Sequence, residues 1–257
     1  MHSIPAPLAA VIGDAAAEVV WRNELDGVTY ELREPSQRRF LKWAPAGSGL
    51  RLDAEIERLG WLAGRWPAPR VISYGSARTG GWMLTTAVPG ESAVSARWLS
   101  EPELAVRAIG SGLRALHDAL PVGKCPFSWA AEARIELARR QVRSGRMDPS
   151  AWHPVHRELT VPDALALVSK PPPVDQLVVC HGDACAPNTL LNADGGWSGH
   201  VDFDALGVAD RWADLAVATW STEWNYGPGW EDTLLTAYGV DPDPQRTAYY
   251  RLLWDLV

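Results

Sequence analysis

The stretch that decides the fold of this chain is Cys180-His181-Gly182-Asp183-Ala184-Cys185-Ala186-Pro187-Asn188, followed by Val201-Asp202-Phe203-Asp204. Asn188 comes five residues after Asp183, and Asp202 comes fourteen residues after Asn188. Taken singly, His-Gly-Asp is an ordinary turn sequence, and an Asn after Pro is common in loops. In this order, and between two short apolar segments, the three polar side chains indicate a catalytic loop.

The residue types match the needs of phosphoryl transfer, which depends on positioning and charge neutralisation. The spacing is similar to the protein-kinase loop H-R-D-x-x-x-x-N and the D-F-G that follows it. Asp183 then aligns an acceptor hydroxyl and takes its proton. Asn188 and Asp202 supply the oxygen ligands that Mg²⁺ prefers. We therefore predict a kinase for small molecules, with Asp183 as its catalytic residue.

The pattern of apolar residues predicts a small sheet followed by a larger set of helices. Strands are expected at Val19–Arg22, Val28–Arg33, Arg39–Trp43, Arg70–Tyr74 and Trp82–Thr86. Helices are expected at Leu50–Leu62, Glu101–Leu120, Trp129–Arg143, Pro162–Ser169, Asp210–Ser221, Trp230–Tyr238 and Pro244–Leu256. The fold class is therefore α+β, with the two lobes of a protein-kinase-like fold. We expect residues 1–87 to form a nucleotide-binding lobe and residues 88–257 a helical lobe with the catalytic loop.

Two charged residues are candidates for anchoring the nucleotide in the first lobe. Lys42 lies in the alternating segment predicted as the third strand, where a kinase places the lysine that pairs with the α- and β-phosphates. A glutamate on the next helix holds such a lysine. Glu55 is the preferred candidate, with Glu57 and the shorter Asp53 as alternatives.

Three further positions are expected to contact the nucleotide. Gly27 is the single glycine of Glu24–Val28, the predicted loop over the phosphates, and backbone amides can cradle phosphate with few glycines. Thr86 and Val88 belong to the predicted hinge, where backbone groups meet the purine edge.

Composition excludes several classes of protein. The chain has 257 residues, a formal net charge of −7 and no apolar run near the ~20 residues that span a bilayer. Residues 181–257 are strongly acidic, which argues against nucleic acid as a partner because phosphate backbones need basic patches. The three cysteines form no even framework, and no secretory signal is recognised. We expect a cytoplasmic protein with neither a membrane nor a nucleic-acid partner.

The chain resembles the aminoglycoside phosphotransferases, especially the 3'- and 3''-O-phosphotransferases, from Trp21 to Leu256. The most specific matches are Val178–Cys185 with Pro187-Asn188, and Leu206–Ala216. The resemblance implies a protein-kinase-like fold, Mg²⁺, ATP or GTP as phosphate donor, and an antibiotic as acceptor. It also implies that Asp183 is the base, that Asn188 and Asp202 bind Mg²⁺, and that Lys42 pairs with Glu55.

The chain departs from these enzymes where they hold the drug. The 3' enzymes carry acids in the segment corresponding to 148–158, which here is mixed in charge and contains Trp152. They end in an Asp-Glu pair, where this chain has Trp254-Asp255, so Asp255 keeps at most one amine contact. Trp224, in a loop-like stretch, is the best candidate for an exposed aromatic contact. Arg211 is expected to pair with carboxylates near the metal site, and a contact with substrate is the alternative.

Two alternatives remain open at this stage. One is a kinase of a nucleoside antibiotic, a peptide antibiotic or a small hydroxylated metabolite. The other is a kinase-like binding module without catalysis. The presence of Asp183, Asn188, Asp202 and Lys42 together argues against the second, because a binding module has no need of all four.

Overall fold

The computed structural model describes residues 4–23, 25–34 and 37–257, and the chain divides into two units. The first unit comprises Met1–Val88 and His200–Asp204, and the second comprises Pro89–Gly199 and Ala205–Val257. The first unit is rich in strands and the second in helices, so the α+β class is confirmed. The sequence did not predict that residues 200–204, which include Asp202, group with the N-terminal unit.

The first unit is built on a five-stranded antiparallel sheet with the order β1-β2-β3-β5-β4. Its strands are β1 (Ala16–Arg22), β2 (Val28–Glu34), β3 (Gln37–Pro45), β4 (Val71–Ala77) and β5 (Gly80–Thr86). All five strands were predicted, with ends that differ by a few residues. Tyr30, Leu41 and Leu84 contribute to a buried cluster on one face of the sheet, together with residues of the short helix α1 (Ala9–Ile12).

Helix α2 (Leu52–Leu62) follows β3 and packs against β4 and β5. Residues Glu55, Leu59 and Leu62 recur at helical spacing and are buried, so the predicted amphipathic helix forms. Glu55 is therefore a carboxylate on the buried face of a helix, a position that requires a partner.

The second unit is mainly helical. Its helices are α3 (Ala96–Leu99), α4 (Pro102–Ala119), α5 (Ala131–Arg143), α6 (Val161–Val168), α7 (Trp212–Tyr226), α8 (Glu231–Tyr238) and α9 (Pro244–Asp255). Helix α4 packs on α8, and α7 packs on α9. The buried residues of α7 run without a break from Trp212 to Thr222, so this helix forms the centre of the unit. Among the described residues, no helix combines the length and apolar character needed to cross a membrane.

Short strands frame the catalytic loop. They are β6 (Glu91–Ser92), β7 (Leu177–Cys180), β8 (Thr189–Leu191), β9 (Trp197–His200) and β10 (Gly207–Asp210). Strand β10 pairs antiparallel with β7, so that Gly207 faces Cys180 and Asp210 faces Leu177. The prediction of a helix from Asp210 was wrong at its start. Asp210 ends a strand, and α7 begins at Trp212, because pairing with β7 extends the backbone before the helix starts.

Candidate active site

The catalytic loop of the second unit connects β7 to β8. Its backbone turns at Gly182, which has a φ of +88°. A Cβ atom at this position would lie 2.3 Å from the carbonyl oxygen of Ala205. Both the torsion angle and the close approach therefore require glycine between His181 and Asp183.

A buried carboxylate on α7 holds this turn in place. The Oδ2 atom of Asp214 accepts a hydrogen bond from the backbone N–H of His181 at 2.6 Å, and Oδ1 accepts one from the N–H of Gly182 at 2.9 Å. The Nε2 atom of His117, on α4, lies 3.0 Å from Oδ2, and its Nδ1 atom lies 2.9 Å from the hydroxyl of Tyr238. Asp214 and His117 are both buried. A connected network of buried polar side chains therefore fixes the backbone of the loop.

Asp183 and Asn188 are in direct contact. The amide nitrogen of Asn188 donates to the Asp183 carboxylate oxygen Oδ2 and to the Asp183 carbonyl oxygen, both at 3.0 Å. This pair of bonds sets the orientation of the Asn188 amide, so its oxygen faces away from Asp183. The backbone N–H of Asp183 donates to Nδ1 of His181 at 3.3 Å, so the histidine ring is tied to the turn that positions Asp183.

The cysteines beside the loop are packing residues. Burial, together with the charge of Asp214, raises the pKa of the Cys180 thiol well above its usual value. Burial and the charge of Asp183 raise the pKa of Cys185 in the same way. Both thiols are therefore protonated at neutral pH, as expected of small residues that fill space next to a charged loop.

Lys42 is the centre of the charged cluster in the first unit. Its ammonium nitrogen lies 2.7 Å from Oε1 and 2.8 Å from Oε2 of Glu55, and it also contacts the carboxylate of Asp202. The predicted pairing of Lys42 with Glu55, rather than with Glu57 or Asp53, is present. Asp202 has a φ of +65°, which is uncommon for a residue with a side chain and typical of functional sites.

The charges in this cluster depend on one another. Burial acts to lower the pKa of Lys42, but the carboxylates of Asp202 and Glu55 raise it above its usual value. Burial raises the pKa of Glu55 to about 7, against the opposing effect of Lys42. Lys42 is therefore a fixed positive charge between the carboxyl groups of Glu55 and Asp202, and it is suited to pair with further anionic oxygens.

The residues predicted to contact the nucleotide are placed as follows. Gly27 closes the turn between β1 and β2, where its N–H donates to the side-chain oxygen of Asn23 at 2.8 Å. Thr86 ends β5 and exchanges two hydrogen bonds with Arg70. Val88 is buried and is the last residue before the second unit. Glu24, in the same predicted loop as Gly27, lies outside the described residues. The nucleotide contacts of these three positions remain predictions.

Two residues considered for the acceptor site, Trp152 and Arg211, are engaged within the second unit. Trp152 is only 2% exposed, because its indole packs into the second unit, so it presents no surface to a substrate. Arg211 donates to Asp175 at 2.7 Å and to Gln176 at 3.2 Å. Arg211 directly follows β10, and the carboxylate that it pairs with is that of Asp175, in the segment that leads into β7.

Asp255 also differs from expectation. Its Oδ2 atom lies 2.6 Å from Nδ1 of His156 and accepts a hydrogen bond from the backbone N–H of His153 at 3.1 Å. With a side chain only 9% exposed, this carboxylate is engaged within the protein and is not presented to an amine. Neither histidine was predicted to be a site residue. Their spacing of three residues in a Pro-rich turn was the available signal.

Trp224 is exposed, as predicted, at 46%, but the prediction that it lies in a loop was wrong, because α7 continues past Ser221 to Tyr226. Its ring lies 5.3 Å from that of Trp220, which in turn lies 4.3 Å from the ring of His153. One turn before Trp224 on α7, the hydroxyl of Ser221 accepts a hydrogen bond from the N–H of Ala186 in the catalytic loop at 2.8 Å. Trp224 therefore lies on the helix that also supports the catalytic loop.

Comparison with known proteins agrees with this geometry. Residues 20–250 match the model of the phosphotransferase enzyme family. An aminoglycoside 3'-phosphotransferase from Streptomyces fradiae is 37% identical over 235 residues, which cover 86% of each chain. The crystal structure of an aminoglycoside-3'-phosphotransferase of type VIII is 32% identical, with a TM-score of 0.84 over 98% of this chain and 97% of the other.

A second structure extends the similarity to 3'' enzymes. The aminoglycoside phosphotransferase APH(3'')-Id from Streptomyces rimosus, solved with ADP and streptomycin, is 29% identical. Its TM-score is 0.76, over 97% of this chain and 95% of that one. The predicted kinase-like fold and the predicted resemblance are both confirmed. The chain belongs to the phosphotransferase enzyme family, among the aminoglycoside 3'- and 3''-phosphotransferases.

Proposed function

We propose that the chain transfers the terminal phosphate of ATP or GTP to a hydroxyl of an aminoglycoside-type antibiotic and thereby confers resistance. The observation that carries this proposal is the partly buried ion pair of Lys42 with Glu55, with Asp202 in contact with the same ammonium group. These are the charged groups that a kinase fold uses to anchor a triphosphate. The substrates are small and soluble, so we infer action in the cytoplasm without a membrane or nucleic-acid partner.

The residues take the following roles in this proposal. Asp183 orients the acceptor hydroxyl and accepts its proton as the new bond to phosphorus forms. Lys42 pairs with phosphate oxygens, and Glu55 holds the ammonium group in place. The backbone at Gly27 covers the phosphates, and backbone groups at Thr86 and Val88 meet the base.

Mg²⁺ is part of the same proposal, with Asp202 and Asn188 as its protein ligands. Bound Mg²⁺ would supply neutralisation of phosphate charge. The donor set fits, because a carboxylate and an amide oxygen are hard ligands. In support, both hydrogen bonds from the Asn188 side chain to Asp183 come from its nitrogen, which leaves the amide oxygen directed elsewhere.

The acceptor is tested by incubating the purified chain with Mg²⁺, ATP or GTP, and a panel of aminoglycosides that includes streptomycin. We expect a drug-dependent release of nucleoside diphosphate and a mass increase of one phosphoryl group on the drug. Expression in a sensitive bacterium should raise resistance to the same drug, and the Asp183→Ala variant should not. Transfer only to a nucleoside or peptide antibiotic, or to a metabolite, would favour the alternative kinase. No nucleotide consumption with any acceptor would favour a binding module.

We further propose that the antibiotic is recognised mainly by an aromatic surface. Trp224 is the exposed member of a row of tilted ring contacts that continues through Trp220 to His153, and a flat aromatic face suits a sugar ring or a cation. The carboxylate of Asp255 is already engaged by His156. This arrangement favours a drug with fewer ammonium groups, such as a streptomycin-like antibiotic.

Replacing Trp224 by alanine is expected to raise KM for the antibiotic about tenfold, the effect of losing one aromatic contact, with little change in kcat. Initial rates at varied drug concentration measure this change. KM for the nucleotide should stay the same, and Trp224→Phe should retain most of the affinity. Leu104→Ala, at an equally exposed apolar residue on α4, is the matched control. An unchanged KM for the drug in Trp224→Ala would show that this tryptophan does not contact the acceptor.

A further inference from the structure

A buried arginine in the second unit is not used by the proposed reaction. Arg134, in the first turn of α5, is only 1% exposed. None of its three guanidinium nitrogens has a hydrogen-bond acceptor among the described residues. Buried arginines are otherwise paired, since an isolated buried charge without hydrogen bonds is strongly unfavourable.

A second buried donor lies beside it. The guanidinium carbon of Arg134 is 4.9 Å from the centre of the Trp129 ring, in a cation–π contact. The indole Nε1 of Trp129 is also buried and has no acceptor in the described part of the chain. The backbone of Trp129 is fixed, because its N–H donates to the carbonyl of Val208 on β10 at 3.0 Å. The guanidinium of Arg134 and the indole of Trp129 therefore place several buried N–H groups without acceptors close together.

The charge of Arg134 is not matched by its surroundings. Burial lowers the pKa of Arg134 to about 10, so the guanidinium is still charged at neutral pH. Tyr250 and Cys180 act on this pKa, but burial raises their own pKa values, so both are neutral. Asp214 also acts on it, but the oxygens of this carboxylate are committed to His117 and to the catalytic loop.

The start of α5 adds to the positive character of this region. Arg134 lies in the first turn of a helix of 13 residues, and helical side chains lean toward the N-terminus of their helix. The residue before the helix, Ala130, offers no side-chain cap to the first amides. The partial positive charge of the helix N-terminus adds to that of the guanidinium, and the one acid of this turn, Glu132, is exposed to solvent.

We propose that Arg134 and Trp129 bind a small monovalent anion, with the size and charge of chloride or bromide, as a built-in structural ligand of the second unit. An anion accepts hydrogen bonds from the guanidinium and the indole and neutralises the buried charge. A water molecule would serve less well, because its own hydrogens need acceptors, and the buried groups without a partner at Arg134 and Trp129 are all donors.

Thermal unfolding of the full chain in sodium chloride, and in sodium gluconate of equal ionic strength, tests this proposal. Gluconate is too large for a site of this kind, and general screening is the same in both salts. We expect chloride and bromide to raise Tm by about 2–4 °C in a saturable way. Arg134→Met should abolish this halide response. Arg140→Met, at an exposed arginine of the same helix, should keep it.

Two further measurements apply even if Arg134→Met fails to fold. Trp129→Phe keeps the aromatic ring but removes its N–H group, and it should weaken the halide response. A crystal grown in bromide should show anomalous scattering within hydrogen-bond distance of Arg134. Equal Tm values in chloride and gluconate, a halide response that persists in Arg134→Met, or a bromide crystal with only water at this position would overturn the proposal.

Discussion

Replacing Asp183 by asparagine is expected to lower kcat by about 10²–10⁴-fold, the usual contribution of a general base. The replacement keeps the size of the side chain but removes its capacity to take a proton. Asn188 donates to Oδ2 of Asp183, and the carboxylate is thereby held in one orientation beside the catalytic loop. Steady-state rates with saturating drug and nucleotide measure the loss.

Nucleotide binding separates this role from a structural one. The groups proposed to anchor the triphosphate, Lys42 and Glu55, belong to the first unit, so Asp183→Asn should leave the Kd for the nucleotide within about twofold of its original value. Asp194→Asn, at an exposed aspartate in the turn between β8 and β9, is the matched control and should retain full activity. Turnover close to normal in Asp183→Asn would exclude this residue as the base.

Much of the fold and part of the site are local properties of the sequence. The alternation of β3 predicts both the strand and the side chain of Lys42, and the helical period of α2 selects Glu55 as a buried acid. The order of Asp183 and Asn188 within one short loop predicts that they lie together, which the structure confirms. Such features depend on neighbours a few residues apart, which the sequence displays directly.

The features that were missed depend on long-range contacts. Strand β10 forms only because it pairs with β7, about 30 residues earlier, and its four residues show no helical or strand period of their own. His156 reaches Asp255 across 99 residues of sequence, and Lys42 reaches Asp202 across 160. The sequence around a single acid or tryptophan does not indicate which distant residue it will contact. The sequence therefore suggested Asp255 and Trp152 as acceptor contacts, whereas the structure buries Trp152 and pairs the half-buried Asp255 with His156.

Replacing Asp214 by asparagine is expected to destabilise the chain by about 2–4 kcal/mol and to lower kcat about 100-fold. The carboxylate accepts hydrogen bonds from the backbone of His181 and Gly182 and lies beside Nε2 of His117. Asparagine has one acceptor oxygen, so at least one of these donors would face another N–H group in a buried place. The catalytic loop would then shift, and with it Asp183. Chemical unfolding and steady-state kinetics measure the two effects.

The dependence of stability on pH provides an independent test of the role of the Asp214 carboxylate. Burial acts to raise the pKa of Asp214, but its hydrogen bonds with His117 and the Gly182 amide hold it below the ordinary value of 3.8. A pKa that folding depresses stabilises the folded state above that ordinary value, and the stabilisation is lost as the pH falls through the folded-state pKa. As the pH falls from 5 through the folded-state pKa of Asp214, the original chain should therefore lose more of its free energy of unfolding than Asp214→Asn loses.

The control substitution is Asp118→Asn, which breaks an exposed pair with Arg114 on α4. It should lower the free energy of unfolding by less than about 1 kcal/mol. Equal effects of the two substitutions would mean that the buried network does not hold the loop.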